Sequence, residues 1–323
     1  MDSGRLKTTV GSSIGQQARR DARRRELARR RRRTFAGLSL VLVVAAVAAA
    51  VLLTRGGGST PSSYPSATTR NPARRSPTVA STGRPGTEPA PILMYHVINP
   101  PPAGAPFPGL YVSASEFAAQ MQTLANAGYH AVTLDQLWSY WKHGTPLPPG
   151  KPIVVSFDNG YQSQYSNALP VLRRLGWVGD ENLQLTGLPP SQGGLSRTQV
   201  KELVAAGWEL DTQGFSHADL ITLDAQRLAY QVATARAVIQ RRYGVPVKWF
   251  CYPSGDYDAT VIAAVQAAGY TGSTTVVPGW AGPTSDPYRL PRLRVLGGTS
   301  PEALLSEIAA IREDPPPPSS YSA

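Results

Sequence analysis

Cysteine is nearly absent from this chain, with Cys251 as its only one. An internal disulfide and a thiolate metal cluster are therefore excluded. A lone cysteine beside an apolar run reads instead as a small buried hydrophobe. Histidine is scarce too: the four are His96, His130, His143 and His217, so any imidazole chemistry must come from these. Three signatures are missing from residues 91–323. No Gly-x-Gly-x-x-Gly follows a strand there, and that stretch holds neither a P-loop nor a Gly-x-Ser-x-Gly elbow. Nucleotide-binding and serine-hydrolase chemistry lose their main support. Most of the chain also lacks a basic excess. The net charge is +11, but residues 1–33 carry twelve Lys/Arg against three Asp/Glu, and residues 55–90 five against one, which leaves 91–323 at −2. Nucleic-acid binding by the folded part is thereby disfavoured, because phosphate recognition needs clustered basic charge on the domain itself.

The basic head has another use. Residues 34–54 follow Arg29 to Arg33 and are uncharged from Phe35 to Thr54, rich in Leu, Val and Ala. That length spans a hydrocarbon core, and the arginines keep the N-terminus in the cytoplasm. The expectation is a single-pass signal-anchor helix in the cell membrane, with the rest of the chain extracytoplasmic. A cleaved signal peptide and a secreted domain form the alternative. Residues 55–90 are dense in Pro, Ser, Thr and Gly and read as a disordered linker, and residues 313–323 as a disordered tail.

Between these segments, over 91–312, helix and strand alternate. Pro91 to Tyr95 reads as a first strand. Ser113 and Glu116 form a capping box ahead of a helix that stops at Gly128, and Tyr129 to Leu134 is strand-like. The run Ile153 to Phe157, opened by Pro152 and closed by Gly160, reads as a buried parallel strand. Further helices are expected over 166–175, 196–206 (capped by Ser196 and Gln199), 225–243, 258–268 and 300–311. Strands are expected at 183–185, 208–211, 247–252, 272–277 and 293–296. Such alternation implies parallel pairing with helices outside the sheet, hence an α/β fold. A (β/α) barrel, incomplete and seven-stranded, is the best architecture, with a flat doubly wound sheet as the alternative.

In a parallel barrel the residues just past the strands meet at one face. Three such places are polar here: Asp158-Asn159, Asp211 to His217, and Tyr252 to Asp256. His96 follows the first strand. Each has a bland account alone, as cap, turn or loop residue; their shared placement raises the odds of a site.

These segments resemble the NodB-type polysaccharide deacetylases of carbohydrate esterase family 4, over Pro91 to about Val295. Pro91 to His96 is similar to the start of many members. Val154 to Tyr161 resembles the first catalytic motif, Gln213 to Leu220 the second, Phe250 to Tyr257 the third, and Leu290 to Leu293 a late segment. The resemblance implies removal of acetyl groups from acetylated polysaccharide or peptidoglycan with a divalent metal, zinc. It implies that Asp158 is the catalytic base, that Asn159, Gln213 and His217 stand at the metal positions, and that Tyr252 and Pro253 lie at the oxyanion and substrate side. Asp158 and His217 are the candidates for proton transfer, and His96 and Arg292 for further lining. At the metal positions an amide replaces a carboxylate and another replaces an imidazole. Weak or no metal binding is the expectation, since zinc favours imidazole, thiolate and charged carboxylate. Two functions stay open: a hydrolase with a weakly held metal or none, and a degenerate homologue that binds glycan without metal-dependent hydrolysis.

Overall fold

The computed structural model of the protein describes residues 83–188 and 193–322. The expected anchor, its basic head and most of the linker lie outside the described residues. Among those described, no helix is long and apolar enough to cross a membrane.

Among the described residues nine strands form one sheet, the parallel run being β7-β6-β5-β4-β3-β1. They are β1 (Ala90–Tyr95), β2 (Tyr129–Ala131), β3 (Lys151–Asn159), β4 (Asp180–Leu183), β5 (Glu209–Thr212), β6 (Trp249–Cys251), β7 (Gly272–Thr274), β8 (Trp280–Ala281) and β9 (Leu293–Arg294). β9 adds to β1 in parallel, β2 pairs with the start of β3, and β8 is the single antiparallel partner, on β1. The sheet curls into an incomplete (β/α) barrel whose seven parallel strands are β7-β6-β5-β4-β3-β1-β9, with β2 flanking β3, not the flat doubly wound alternative. A bridge between Thr274 and Leu290 draws the segment ahead of β9 towards β7.

Period-two alternation in β3 decides the rest. Ile153, Val155 and Phe157 belong to a helix-facing core with Tyr95, Phe117 and Trp208. The Phe157 ring stacks on Trp208 with centroids 4.9 Å apart. Val154, from the other face of the strand, packs with Ile92, Trp249, Leu137 and Trp141. Asp158 shares the parity of Val154 and Ser156, so it projects into the barrel. Burying each large apolar side chain stabilises by about 1.5–3 kcal/mol, which fixes the register and so the direction of Asp158.

The helices are α1 (Ala114–Asn126), α2 (Leu134–His143), α3 (Leu169–Arg174), α4 (Arg197–Ala205), α5 (Ala225–Ala229), α6 (Ala235–Tyr243), α7 (Ala259–Ala267) and α8 (Pro301–Ala310). Capping boxes at Ser113 and Ser196 start α1 and α4 as read from sequence. Helix α2 departs from the reading of 129–134 as strand. Val132-Thr133-Leu134 is β-prone, but Thr133 and Gln136 form a capping box, and Gly144 ends the helix in the left-handed region at φ 64°. Two π-helical turns, Gln164–Ala168 before α3 and Tyr230–Thr234 between α5 and α6, interrupt helices expected to be regular.

The C-terminal segment also differs from expectation. Tyr321 and Tyr257 exchange backbone hydrogen bonds of 2.9 Å, Tyr257 Oη donates to Pro318 O at 2.7 Å, and Pro317 is buried. The prolines stiffen the strand-like path, and two tyrosines supply the partners that composition does not reveal. At the other end, Trp141 Nε1 donates to Glu88 O, which docks the last linker residues.

Strand β4 begins three residues earlier than the 183–185 reading and carries Glu181, fully buried with neither carboxyl oxygen partnered. Burial pushes this carboxyl well above its ordinary value of 4.5, and the charge on Asp158 adds to the shift. A raised carboxyl stabilises the fold fully below its unfolded value and loses that contribution as pH rises through the folded one. Glu181→Gln, which fixes the neutral form, is expected to melt near wild type at pH 5 and on the order of several degrees above it at pH 8. Equal melting temperatures at both pH values would contradict a protonated Glu181.

Candidate active site

The C-terminal ends of the strands surround a cavity of about 580 Å³. His96 follows β1, Asp158 and Asn159 end β3, Gln184 follows β4, Gln213 and His217 follow β5, Tyr252 follows β6 and Arg294 ends β9; all line it. Phe107, Tyr111, Tyr161 and Val276 add apolar wall.

Asp158 is the most constrained member. Arg292 grips it in a fork, Nη1 to Oδ1 at 2.7 Å and Nη2 to Oδ2 at 2.9 Å. Asn182 Nδ2 donates to Oδ1 at 2.9 Å, and the Cys251 thiol lies 3.4 Å from Oδ2. Four donors thus occupy the four lone-pair sites of a carboxylate. Both partners of the ion pair are sealed from solvent, at 0% and 1% side-chain exposure. Burial pushes the Asp158 carboxyl up, but the Arg292 charge and hydrogen bonds outweigh it and hold the group at about 2. The guanidinium is itself held in place by Nε donating to Thr275 O at 2.8 Å. Arg292 therefore sits behind Asp158 and does not line the cavity; Arg294, two residues on, does.

The two π-helical turns each deliver a glutamine to a site loop. Gln164 Nε2 donates to His96 O at 2.9 Å and to Asp158 O at 2.8 Å. Gln231 Oε1 accepts from Phe215 N and Ser216 N, both at 3.0 Å, which shapes the loop ahead of His217. A π turn shifts the helical phase, and such turns cluster at functional sites.

Backbone strain collects at the same place. Among the described residues the non-glycine positions with positive φ are Asn159 (78°), His217 (51°) and Ser254 (57°), and all three line the cavity. Each such position costs on the order of 1–3 kcal/mol unless its surroundings enforce it. Gly160 follows at φ 89°, where a Cβ would stand 2.6 Å from Leu183 Cδ1, so only glycine fits.

The expected metal positions come together in one wall of the cavity as two amides and an imidazole. Asn159 Nδ2 donates to Gln184 Oε1 at 2.9 Å, and Gln213 Oε1 is buried without a partner. Burial lowers His217 from its ordinary value. Among the described residues no three His, Cys, Asp or Glu side chains are grouped to hold a metal ion. His96 presses into the same space with Nδ1 buried and unpartnered, and burial lowers it to about 4 against the pull of Asp158. Tyr252 lends its ring, since its hydroxyl is tied to Tyr288 O at 2.9 Å. Pro253 is buried in the turn that raises Ser254 and does not reach the cavity.

Sequence reasoning missed Asn182, Gln184, Tyr111, Tyr161 and Arg294. The signal for the first two was present: polar residues at 180, 181, 182 and 184 stand where a buried parallel strand is ordinarily apolar.

Residues 146–273 match the family model described as polysaccharide deacetylase. The polysaccharide deacetylase homologue YxkH of Bacillus subtilis is 28% identical over 222 residues, 69% of this chain and 77% of the relative. Poly-beta-1,6-N-acetyl-D-glucosamine N-deacetylase of Escherichia coli is 36% identical over 66 residues, but these are 20% of this chain and 10% of the relative. Among solved structures, the polysaccharide deacetylase homologue of Bacillus anthracis superposes with a TM-score of 0.61 at 27% identity, covering 69% of each chain. The Streptococcus pyogenes deacetylase PplD, solved with acetate, shares the fold with a TM-score of 0.63 at 24% identity, over 69% of this chain and 99% of that one.

Arg292→Met leaves the Asp158 charge buried and uncompensated, so a loss of about 3–5 kcal/mol in unfolding free energy is expected. Adding Asp158→Asn is expected to recover part of that loss in denaturant titrations. Additive losses in the double variant would show that the two side chains are not energetically coupled. Because the Asp158 pKa is depressed in the fold, its contribution is present above 3.8 and lost as pH falls through about 2.

Proposed function

The chain belongs to the polysaccharide deacetylase family, and on that premise we propose that it acts outside the cytoplasm on acetylated envelope or extracellular glycan. It is a polysaccharide deacetylase-like hydrolase by that membership. The observation that carries the reading is the convergence of Asp158, His96 and His217 on one aromatic-walled cavity at the C-terminal ends of the strands.

The family works with a divalent metal, which when bound polarises an acyl carbonyl and acidifies water. Here the residues do not fit zinc. Asn159 and Gln213 offer neutral amide oxygens, His217 is the one imidazole among the three, and the Asp158 carboxylate is saturated by Arg292, Asn182 and Cys251. No step is therefore routed through a metal.

The chain's own groups can still bind and move protons. Tyr111, Tyr161 and Tyr252 offer ring faces to the sugar, and Val276 meets the acetyl methyl. A neutral imidazole, His96 or His217, accepts a proton from water as the water oxygen attacks the acetyl carbon. The same proton then passes to the departing sugar nitrogen or oxygen, releasing acetate. The ionised Asp158, with no open lone pair, serves as the fixed charge that stabilises the transient imidazolium.

The substituted metal positions favour a second reading, in which glycan binds without metal-dependent hydrolysis. Acetate release from acetylated chito-oligosaccharide, peptidoglycan and acetylxylan separates the two. The hydrolase reading expects release by wild type, unchanged by EDTA and abolished in Asp158→Ala; binding by both proteins with release by neither supports the second. Asn159→Asp with Gln213→His is expected to raise zinc affinity by more than the roughly 10–100-fold that outer-shell changes command. Tight stoichiometric zinc in wild type would overturn the mismatch. The location rests on the uncharged run at 34–54 behind its arginines, and it expects a reporter fused after Ala323 to work only outside the cytoplasm. Activity inside would refute it.

A further inference from the structure

Gln184 anchors a relay of amides whose polarity is fixed from one end. Thr186 donates its backbone N–H to Phe215 O at 2.9 Å, which ties it to the loop that carries His217. Thr186 O, a carbonyl that can only accept, takes the Gln184 Nε2 donor. Gln184 must then present Oε1 to Asn159, and the Asn159 side chain must answer with Nδ2, at 2.9 Å. Amide oxygen and nitrogen are ordinarily interchangeable by a flip. A main-chain carbonyl at the head of the relay removes that freedom, so Asn159 turns Oδ1 to the cavity. Gln213, whose Oε1 is buried and unpartnered, lines the same cavity. The positive φ of Asn159 holds the side chain in place against its own backbone preference.

We propose that the Thr186–Gln184–Asn159 relay, with Gln213, has turned the family's metal position into a pair of neutral acceptors that reads an amide N–H, so that the cavity selects N-acetyl over O-acetyl sugars without metal. The proposal rests on the reading that acetylated glycan enters this cavity. Its chemistry is direct. An acetamido group brings an N–H donor to the acceptors and a methyl to the apolar wall of Tyr111, Tyr161 and Val276. An O-acetyl ester brings the same methyl and carbonyl but no donor, and leaves a desolvated acceptor unpaired. A site built to hydrogen-bond a group rejects the analogue that lacks it. Gln184 is a positioning residue, since it acts only through Asn159. A hydrated cation is the competing occupant of two amide oxygens.

The test is calorimetric titration of the full-length chain with N-acetylchitotetraose and with O-acetylated xylotetraose, each with EDTA and with added zinc. Gln184→Leu removes the relay. Asn159→Gly removes the acceptor while suiting the positive φ, and thermal melting checks that both variants fold. Wild type is expected to bind the N-acetyl ligand at least about tenfold more tightly than the O-acetyl one, equally with and without zinc. Both variants are expected to lose that preference. A preference that survives in both folded variants, or binding that vanishes in EDTA, overturns the proposal. Failure of wild type to bind either oligosaccharide overturns the glycan reading beneath it, a result distinct from binding without discrimination.

Discussion

The buried pair of Asp158 and Arg292 is the constraint on which this structure turns. A carboxylate at the inner end of β3 is isolated from water, and only a guanidinium in fork geometry, backed by Asn182 and the Cys251 thiol, makes its charge tolerable. Arg292 reaches that position because the segment before β9 bridges β7 and approaches β1. The late segment is thus held to β1 by strand pairing and to the end of β3 by this ion pair. Such a pair contributes little to stability compared with an apolar core of the same volume, so its value lies in placing a fixed negative charge beneath the cavity.

Around that charge the fold spends local irregularity where it is useful. The two π turns each aim a glutamine at a loop from a different strand, and the three strained non-glycine residues lie on the cavity wall. Regular helices would leave Gln164 and Gln231 out of phase with those loops. Relaxed backbone would withdraw Asn159 and His217 from the cavity. The departures from ideal geometry are therefore concentrated in the residues that shape the site.

The polar character of β4 links the saturated aspartate to the substituted metal positions. Asn182 on β4 holds Asp158, and Gln184, just past the end of β4, holds Asn159. Glu181, on the opposite face, is pushed well above its ordinary value by burial in an apolar setting. Under the proposed reading, replacing charged ligands by amides and adding amide partners on β4 are parts of one change, from gripping a cation to reading a neutral hydrogen-bond donor.

Local sequence was enough to determine the alternation of helix and strand, the capping boxes at Ser113 and Ser196, the inward carboxylate closing β3, and the gathering of Asp158, Asn159, Gln213, His217 and Tyr252 at one barrel face. These follow from side-chain periodicity and cap chemistry, which act over a few residues. Helix α2 was equally legible in Thr133, Gln136 and Gly144, but a β-prone tripeptide masked it. Other features required the tertiary structure because their partners lie far apart along the chain. Arg292 stands 134 residues from Asp158, the C-terminal prolines are held by Tyr257 and Arg289, and the polarity of Asn159 is set by a carbonyl at Thr186 through Gln184. Sequence placed an amide where a metal ligand was expected; only the folded arrangement decided which of its two atoms faces the cavity, because that choice belongs to hydrogen-bond partners in the segment that follows β4.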